Sequence, residues 1–332
     1  FGSRAVGRPG PTMTMATCSA ASVAATSALA SQDDHPGASP AGEEVPPILN
    51  LADVRGLELV GEGATALVYR GMLQGQVVAV KKMDCHPSSM SEKGRVNLSR
   101  ELKILHKVQH CNLVSFYGVA VSGSTLNIVM EYCDGGTAFD LIHNQDIVVM
   151  SWVQRWKMAM DVAQAMHYLH SFTPQIIHRD LKSLNLLFKE PVVNCEDLPE
   201  TKVVDFGQSR MQHGEALDMT KLAGTPHWMA PEVFQTNSYD RKVDVYSYSM
   251  ILYEIICSEI PFEEIQSKQR LGLMVCSGGR PDMKAAPPDC PEELLSLMAC
   301  CWDGEPANRP DFDEIAAMLS KIYLPSGDYG AP

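Results

Sequence analysis

The sequence predicts an α+β fold with two lobes: a small β-rich N-lobe carrying one helix, then a larger α-helical C-lobe. Three observations carry this expectation. Short Val- and Leu-rich runs punctuated by glycine fill residues 57–132, the pattern of strands and tight turns. Beyond Gly135-Gly136 the apolar residues recur at steps of three and four, the period of one helix face. The two patterns follow one another instead of alternating, which favours segregated sheet and helices over a βαβ array.

Residues 1–53 read as a disordered extension. Ala, Ser, Gly and Pro supply 27 of the first 50 positions without apolar periodicity, too little to offset the entropy of ordering. Arg4 and Arg8 precede the first acid, Asp33, as in organelle transit peptides, although composition alone favours a plain extension. Residues 57–60, 66–73 and 76–83 then form a meander of three strands. Residues 91–107, with Leu98, Leu102 and Leu105 set among charges, form a helix. Residues 113–119 and 126–132 are two more strands.

In the second part, Trp152, Trp156, Met160, Ala163, Met166 and Leu169 mark an amphipathic helix. Residues 243–256 are apolar nearly all round, as in a buried central helix. Residues 291–302 and 311–323 give two further helical patterns.

At 45% hydrophobic and 20% charged residues, the chain is neither wholly disordered, collagenous nor a coiled coil. A net charge of −13 argues against binding nucleic acid or an anionic membrane through bulk charge. Any phosphate must therefore be held by a local site. The longest apolar stretches, such as residues 250–256, are too short to span a bilayer. Ten scattered cysteines, with no C-x-x-C pair, read as reduced thiols of the cytoplasm or nucleus.

Three segments carry chemistry. Gly61-Glu62-Gly63-Ala64-Thr65-Ala66-Leu67-Val68 sets two glycines between strands, where backbone can approach a phosphate without a Cβ in the way. Alone it reads more readily as an ordinary hairpin turn. Val78-Ala79-Val80-Lys81 ends a strand on a lysine, a solvated strand end unless a phosphate and a carboxylate meet it; Glu101, on the following helix, is available. His178-Arg179-Asp180-Leu181-Lys182-Ser183-Leu184-Asn185 is the most specific. With Asp205-Phe206-Gly207 and Ala230-Pro231-Glu232 following in order, it resembles the catalytic loop, metal-binding motif and activation-segment end of the eukaryotic protein kinases.

The resemblance covers residues 54–324, with an N-lobe at 54–132, a C-lobe at 135–324 and a tail at 325–332. The run from Gly224 to Glu232, with Asn308-Arg309-Pro310, is most similar to the tyrosine-kinase-like group of Ser/Thr kinases, in its Raf-like and mixed-lineage-like branches. It implies the bilobal protein kinase fold and transfer of the γ-phosphate of Mg-ATP to Ser/Thr hydroxyls of protein substrates. It also implies residue roles. Gly61, Glu62 and Gly63 cover the phosphates, and Lys81, held by Glu101, contacts them. Asp205 and Asn185 ligate Mg²⁺. Asp180 receives the hydroxyl proton, and Lys182 neutralises the γ-phosphoryl group.

Adenine is expected against backbone groups of Glu131 and Cys133, with Met130 gating the space behind it and Val68, Ala79 and Leu187 sandwiching the ring. Arg179 is expected to pair with a phosphate on the activation segment. Among Ser209, Thr220 and Thr225, Thr220 is the favoured site for an upstream activating kinase. Thr225, expected to bond Asp180 and Lys182, and Lys182 itself indicate Ser/Thr specificity, with dual specificity open. Glu232 is expected to pair with Arg309, and Asp244 to hold the catalytic-loop backbone. Two competing readings are an inactive kinase-fold scaffold, disfavoured by the complete motif set, and a small-molecule kinase, disfavoured by the complete activation segment. The chain departs from the family pattern at Ala66, in place of a third glycine, and at Gln208 after Asp205-Phe206-Gly207. It also departs in the 20 positions from Asn185 to Asp205, whose excess, residues 190–200, reads as a hairpin-loop insertion.

Overall fold

The computed structural model describes residues 46–62, 66–83, 91–123, 125–144, 148–212, 225–235 and 239–322. Gly63, Thr220, residues 1–45 of the expected extension and the tail at 325–332 lie outside the described residues.

Five strands make the first lobe: β1 (Val54–Glu62), β2 (Leu67–Leu73), β3 (Gln76–Met83), β4 (Phe116–Ser122) and β5 (Thr125–Glu131). They pair antiparallel in the order β1-β2-β3-β5-β4. The register sets Gly61 opposite Val68, Val68 opposite Lys81 and Ala79 opposite Met130. Residues far apart in sequence thereby share one end of the sheet. Helix α1 (Glu92–Lys107) starts on Ser91, whose hydroxyl accepts from the Gly94 N–H at 3.2 Å. Leu98, Leu102 and Leu105, on one stripe of α1, are buried.

The strand expected over 113–119 is displaced to Phe116–Ser122. Leu113 and Val114 are buried, but their backbone pairs elsewhere: Leu113 bridges Val203, and the Val114 N–H reaches the Val203 carbonyl at 3.2 Å. The apolar run thus divides between a sheet strand and a contact with the second lobe. The disorder expected over 1–53 does not hold for residues 46–53. Ile48 lies parallel to Val119 on the β4 edge, with Leu49 N–H to Val119 O at 2.7 Å and Val119 N–H to Pro47 O at 2.8 Å. Leu49 and Leu51 pack on the outer cluster of Val54, Leu73, Val78, Val80 and Val129. Apolar contact and edge hydrogen bonds offset the ordering cost that composition alone does not meet. The approach is close: Gly118 has φ +149, and a Cβ there would lie 2.5 Å from the Pro47 carbonyl.

The second lobe contains α2 (Ala138–His143), α3 (Trp152–His170), α4 (Pro231–Gln235), α5 (Lys242–Cys257), α6 (Lys268–Cys276), α7 (Glu292–Cys301) and α8 (Phe312–Leu319). Four short strands accompany them: β6 (Gln175–Ile177), β7 (Leu186–Phe188), β8 (Thr201–Val203) and β9 (Arg210–Gln212). β6 pairs with β9 and β7 with β8, so residues 189–200 form the loop of a hairpin. Helix α3 begins with a capping box between Ser151 and Gln154. Helix α5 is buried from Val243 to Cys257, as its all-round apolar pattern requires. It ends where Ser258 turns left-handed, at φ 55.

Arg309 locks this lobe. Its side chain is fully buried, and its guanidinium forks onto Glu232 at 2.6 and 2.9 Å. It also donates to the carbonyls of Asp303 and Lys242 at 2.9 and 3.0 Å. The planar fork suits this bidentate geometry and lysine does not. Arg309→Ala removes the bidentate partner of a largely buried carboxylate and the donor to two carbonyls, and should cost about 3–5 kcal/mol in urea unfolding, with Arg309→Lys recovering only part of the loss.

Candidate active site

The loop after β6 is anchored from below. Asp244, on α5, is wholly buried and accepts the backbone N–H groups of His178 and Arg179, both at 2.8 Å. His170 Nε2 meets the same carboxylate at 2.9 Å. Burial alone would raise this carboxyl, but the His170 hydrogen bond, the histidine charges and the Arg179 N–H hold it below its ordinary value. Arg179 is left-handed at φ 70, a strained backbone that the two Asp244 bonds fix.

Beyond this anchor Asp180 collects donors. Lys182 Nζ donates to Asp180 Oδ2 and to Thr225 Oγ1, each at 2.7 Å. The Thr225 N–H and hydroxyl donate to Asp180 Oδ1 at 3.0 and 3.1 Å. Asn185 Nδ2 donates to the Asp180 carbonyl at 2.8 Å and to Oδ2 at 3.3 Å. Every partner donates, the setting of an ionised carboxylate. With its nitrogen so engaged, Asn185 has its amide oxygen left as an acceptor.

A second cluster joins the lobes. Lys81 Nζ lies 3.3 Å from Glu101 Oε1 and 3.9 Å from Asp205 Oδ1. Burial would lower this lysine, but the two carboxylates together raise it. Asp205 is left-handed at φ 67, and the Gly207 N–H folds back to its Oδ1 at 3.2 Å. Phe206 is buried, its ring centroid 5.5 Å from that of His178. The segment is thus set with its phenyl inside and its carboxylate toward Lys81.

The residues expected around adenine lie on β2, β3, β5 and β7 and just beyond the end of β5. Met130 pairs with Ala79 across β3 and β5, and Leu187 bridges Thr137. The Glu131 N–H is committed to the Ser115 carbonyl at 2.8 Å, so a ligand contact there falls on the Glu131 carbonyl. Burial and the Glu131 charge push the Cys133 thiol up to about 12.

One residue here was not singled out by the sequence. Lys202, on β8 and only 4% exposed, bonds Glu131 at 3.1 Å and Glu200 at 3.2 Å, tying the β5 end to the strand before Asp205. No local pattern marks it: Lys202 stands between Thr201 and Val203, two residues after Glu200. Of the expected site residues, Gly63 and Thr220 lie outside the described residues. Of the rest, Lys81, Glu101 and Asp205 meet in one cluster and Asp180, Lys182, Asn185 and Thr225 in another, while Arg179 is buried with its guanidinium on the Tyr239 hydroxyl and the Gln208 carbonyl.

The protein kinase domain family matches residues 54–319. The chain is 37% identical over 275 residues to pats1 of Dictyostelium discoideum, a probable serine/threonine-protein kinase, covering 80% of this chain and 8% of that protein. It is 34% identical over 279 residues to the dual specificity protein kinase shkD of Dictyostelium discoideum, covering 84% and 36%. It is 33% identical over 295 residues to mitogen-activated protein kinase kinase kinase 10 of Homo sapiens, covering 86% and 29%. The chain thus spans well under two thirds of these relatives.

The raised Cys133 thiol has a chemical consequence. Against an ordinary thiol at 9.0, a pKa of about 12 cuts the thiolate fraction at pH 8 by roughly a thousandfold. Iodoacetamide at pH 8 should therefore label the exposed Cys111 long before Cys133, as read by peptide mass spectrometry.

Proposed function

The chain belongs to the protein kinase family, as a kinase of tyrosine-kinase-like type, and from that premise we propose that residues 54–324 transfer the γ-phosphate of ATP to Ser/Thr hydroxyls of protein substrates. The observation that carries this is the bonding of Asp180, Lys182 and Thr225 at 2.7 to 3.1 Å. A protein kinase domain implies ATP with a divalent metal. The carboxylate of Asp205 and the amide oxygen of Asn185 are hard oxygen donors, which suits Mg²⁺. When bound, such an ion neutralises charge on the phosphate oxygens.

The protein's part follows from positions. The acceptor oxygen forms a bond to the γ-phosphorus as the bond to the β-bridging oxygen breaks and ADP leaves with that electron pair. Asp180 orients the hydroxyl and takes its proton. Lys182, 2.7 Å from Asp180, sets a cation beside the transferring group. Lys81, fixed by Glu101, holds the other phosphates. The Thr225 hydroxyl and Lys182 support Ser/Thr as the acceptor class. The printed name of shkD supports testing tyrosine as well.

Regulation by an upstream kinase acting at Thr220 is part of this proposal. Arg210, on β9, is lowered by burial and by the charges of Arg179 and Arg100, so three guanidinium groups crowd the base of the activation segment. A phosphate there relieves that repulsion. The eight described cysteines are all free thiols, which supports a reducing compartment such as the cytoplasm or nucleus.

With Mg-ATP and generic acceptors, transfer to Ser/Thr peptides is expected, and Asp180→Asn should lower kcat by about 10²- to 10⁴-fold with ATP still bound. No transfer by wild type after treatment with an activating kinase would defeat the reading. Thr220→Ala should lower turnover on the order of tenfold if a phosphate orders the segment; unchanged turnover would remove Thr220 from the scheme.

A further inference from the structure

Residues 189–200, the loop between β7 and β8, have no part in the mechanism above. An added surface loop is ordinarily polar and lightly held. This one is neither. Its underside is buried at Val192 and Pro199. Asp197 Oδ2 accepts the N–H groups of Val193 and Asn194 at 2.9 and 3.0 Å, and Asn194 Oδ1 accepts those of Glu196 and Asp197 at 3.0 and 3.1 Å. Helix α3 fixes the loop from outside. Gln154, wholly buried, donates Nε2 to the carbonyls of Asn194 and Asp197, both at 2.8 Å. Lys157 Nζ reaches the Pro199 carbonyl at 3.3 Å.

This rigid loop displays apolar side chains. Val149, Val193, Leu198 and Leu273 are the four most exposed large apolar residues among those described, at 70, 64, 64 and 72%. Leu273 lies on α6. The other three belong to one surface, because Gln154 ties together the stretches that carry them. Its amide nitrogen holds Asn194, next to Val193, and Asp197, next to Leu198. Its amide oxygen accepts the N–H of Ser151, two residues after Val149, at 3.0 Å. Single exposed apolar residues need no explanation, but three on one fixed platform mark a contact surface.

The charge around this surface is negative. Glu190 and Glu196 are exposed and have no ion pair among the described residues. Asp197 is met by backbone N–H groups, which leave its charge in place. The nearby cations are already spent: Lys157 lies 2.6 Å from Asp161, Lys202 is shared by Glu131 and Glu200, and Lys189 lies 3.6 Å from Glu200. An anionic lipid surface is therefore repelled, and a cationic partner is favoured.

We propose that Val149, Val193 and Leu198, with Glu190 and Glu196 beside them, form a docking surface for an extended, basic and apolar segment of a partner protein. Alternate side chains of an extended segment fall on one face, so apolar residues at every second position meet the platform while Lys or Arg meets the acids. The loop is ordered before the segment arrives, which lowers the entropy lost on binding. Strand β7 separates it from Asn185, about 10 Å at 3.3 Å per residue, so the surface is distinct from the catalytic cleft.

The test is fluorescence anisotropy with the full chain and a labelled peptide pool, Lys-Lys-Ser-Φ-Ser-Φ-Ser-Φ, in which Φ is Val, Leu or Ile. Saturable binding is expected, weakening as salt is added. Pools with Glu for Lys, or Ser for Φ, should bind at least tenfold more weakly. Val193→Ser combined with Leu198→Ser should weaken the first pool at least tenfold, and so should Glu190→Lys combined with Glu196→Lys. Leu273→Ser should leave binding within twofold. All substitutions are at exposed positions outside the catalytic machinery, so turnover of a short Ser/Thr acceptor should stay within twofold, which also reports folding.

No saturable binding by wild type overturns the inference, as does binding unchanged by the paired substitutions or equal for all pools. Sedimentation showing a wild-type dimer that Val193→Ser with Leu198→Ser dissolves also overturns it, since the surface then belongs to a second copy of the chain. Peptide binding is read without any phosphate transfer, so failure of the kinase reading and failure of this inference are separate results.

Discussion

Asp244 and Glu254 have no water to turn to. A buried carboxylate survives as a charge only when its oxygens are met by donors, and this requirement organises the C-lobe. Helix α5 brings the two acids to fixed heights. Asp244 draws in two backbone N–H groups at the start of the catalytic loop, and Glu254 draws in Ser183 near its end and Trp228 from the facing segment. The strained backbone of Arg179 follows from the first demand. The helix is thus a core element by its apolar faces and a scaffold for the chemistry by its two charges.

The same reasoning explains how a chain of net charge −13 offers a site for phosphates. Bulk potential works against such a ligand, so the cations are few and individually placed. Lys81 is held by Glu101, and Lys182 by Asp180 and Thr225. Each cation is oriented by an acid, which fixes its direction before any ligand arrives. Preorganisation of this kind avoids reorganisation at the moment of reaction.

Much of this was legible in the sequence because the catalytic groups are close along the chain. Asp180, Lys182 and Asn185 share one loop, and motif order carried the pairing of Lys81 with Glu101. The period change after Gly136 gave the two lobes. Phase was harder to read: residues 113–119 look like one strand, yet Leu113 and Val114 pair with Val203, a partner invisible to any local window. Lys202 and Glu254 escaped notice for a related reason. A charged residue reads the same in the sequence whether it faces solvent or a buried partner. The partners of Glu254 lie 26, 71 and 111 residues away.

The short segment at residues 47–49 has a further consequence. A terminal strand of a sheet offers a row of unmet N–H and C=O groups to any extended chain that passes, which is a route to aggregation. Along β4 the groups of Val119 are already taken by Pro47 and Leu49, and Gly118 admits the approach because it has no side chain to block it. The protein's own backbone therefore takes the place of a foreign strand at Val119, in the middle of this edge.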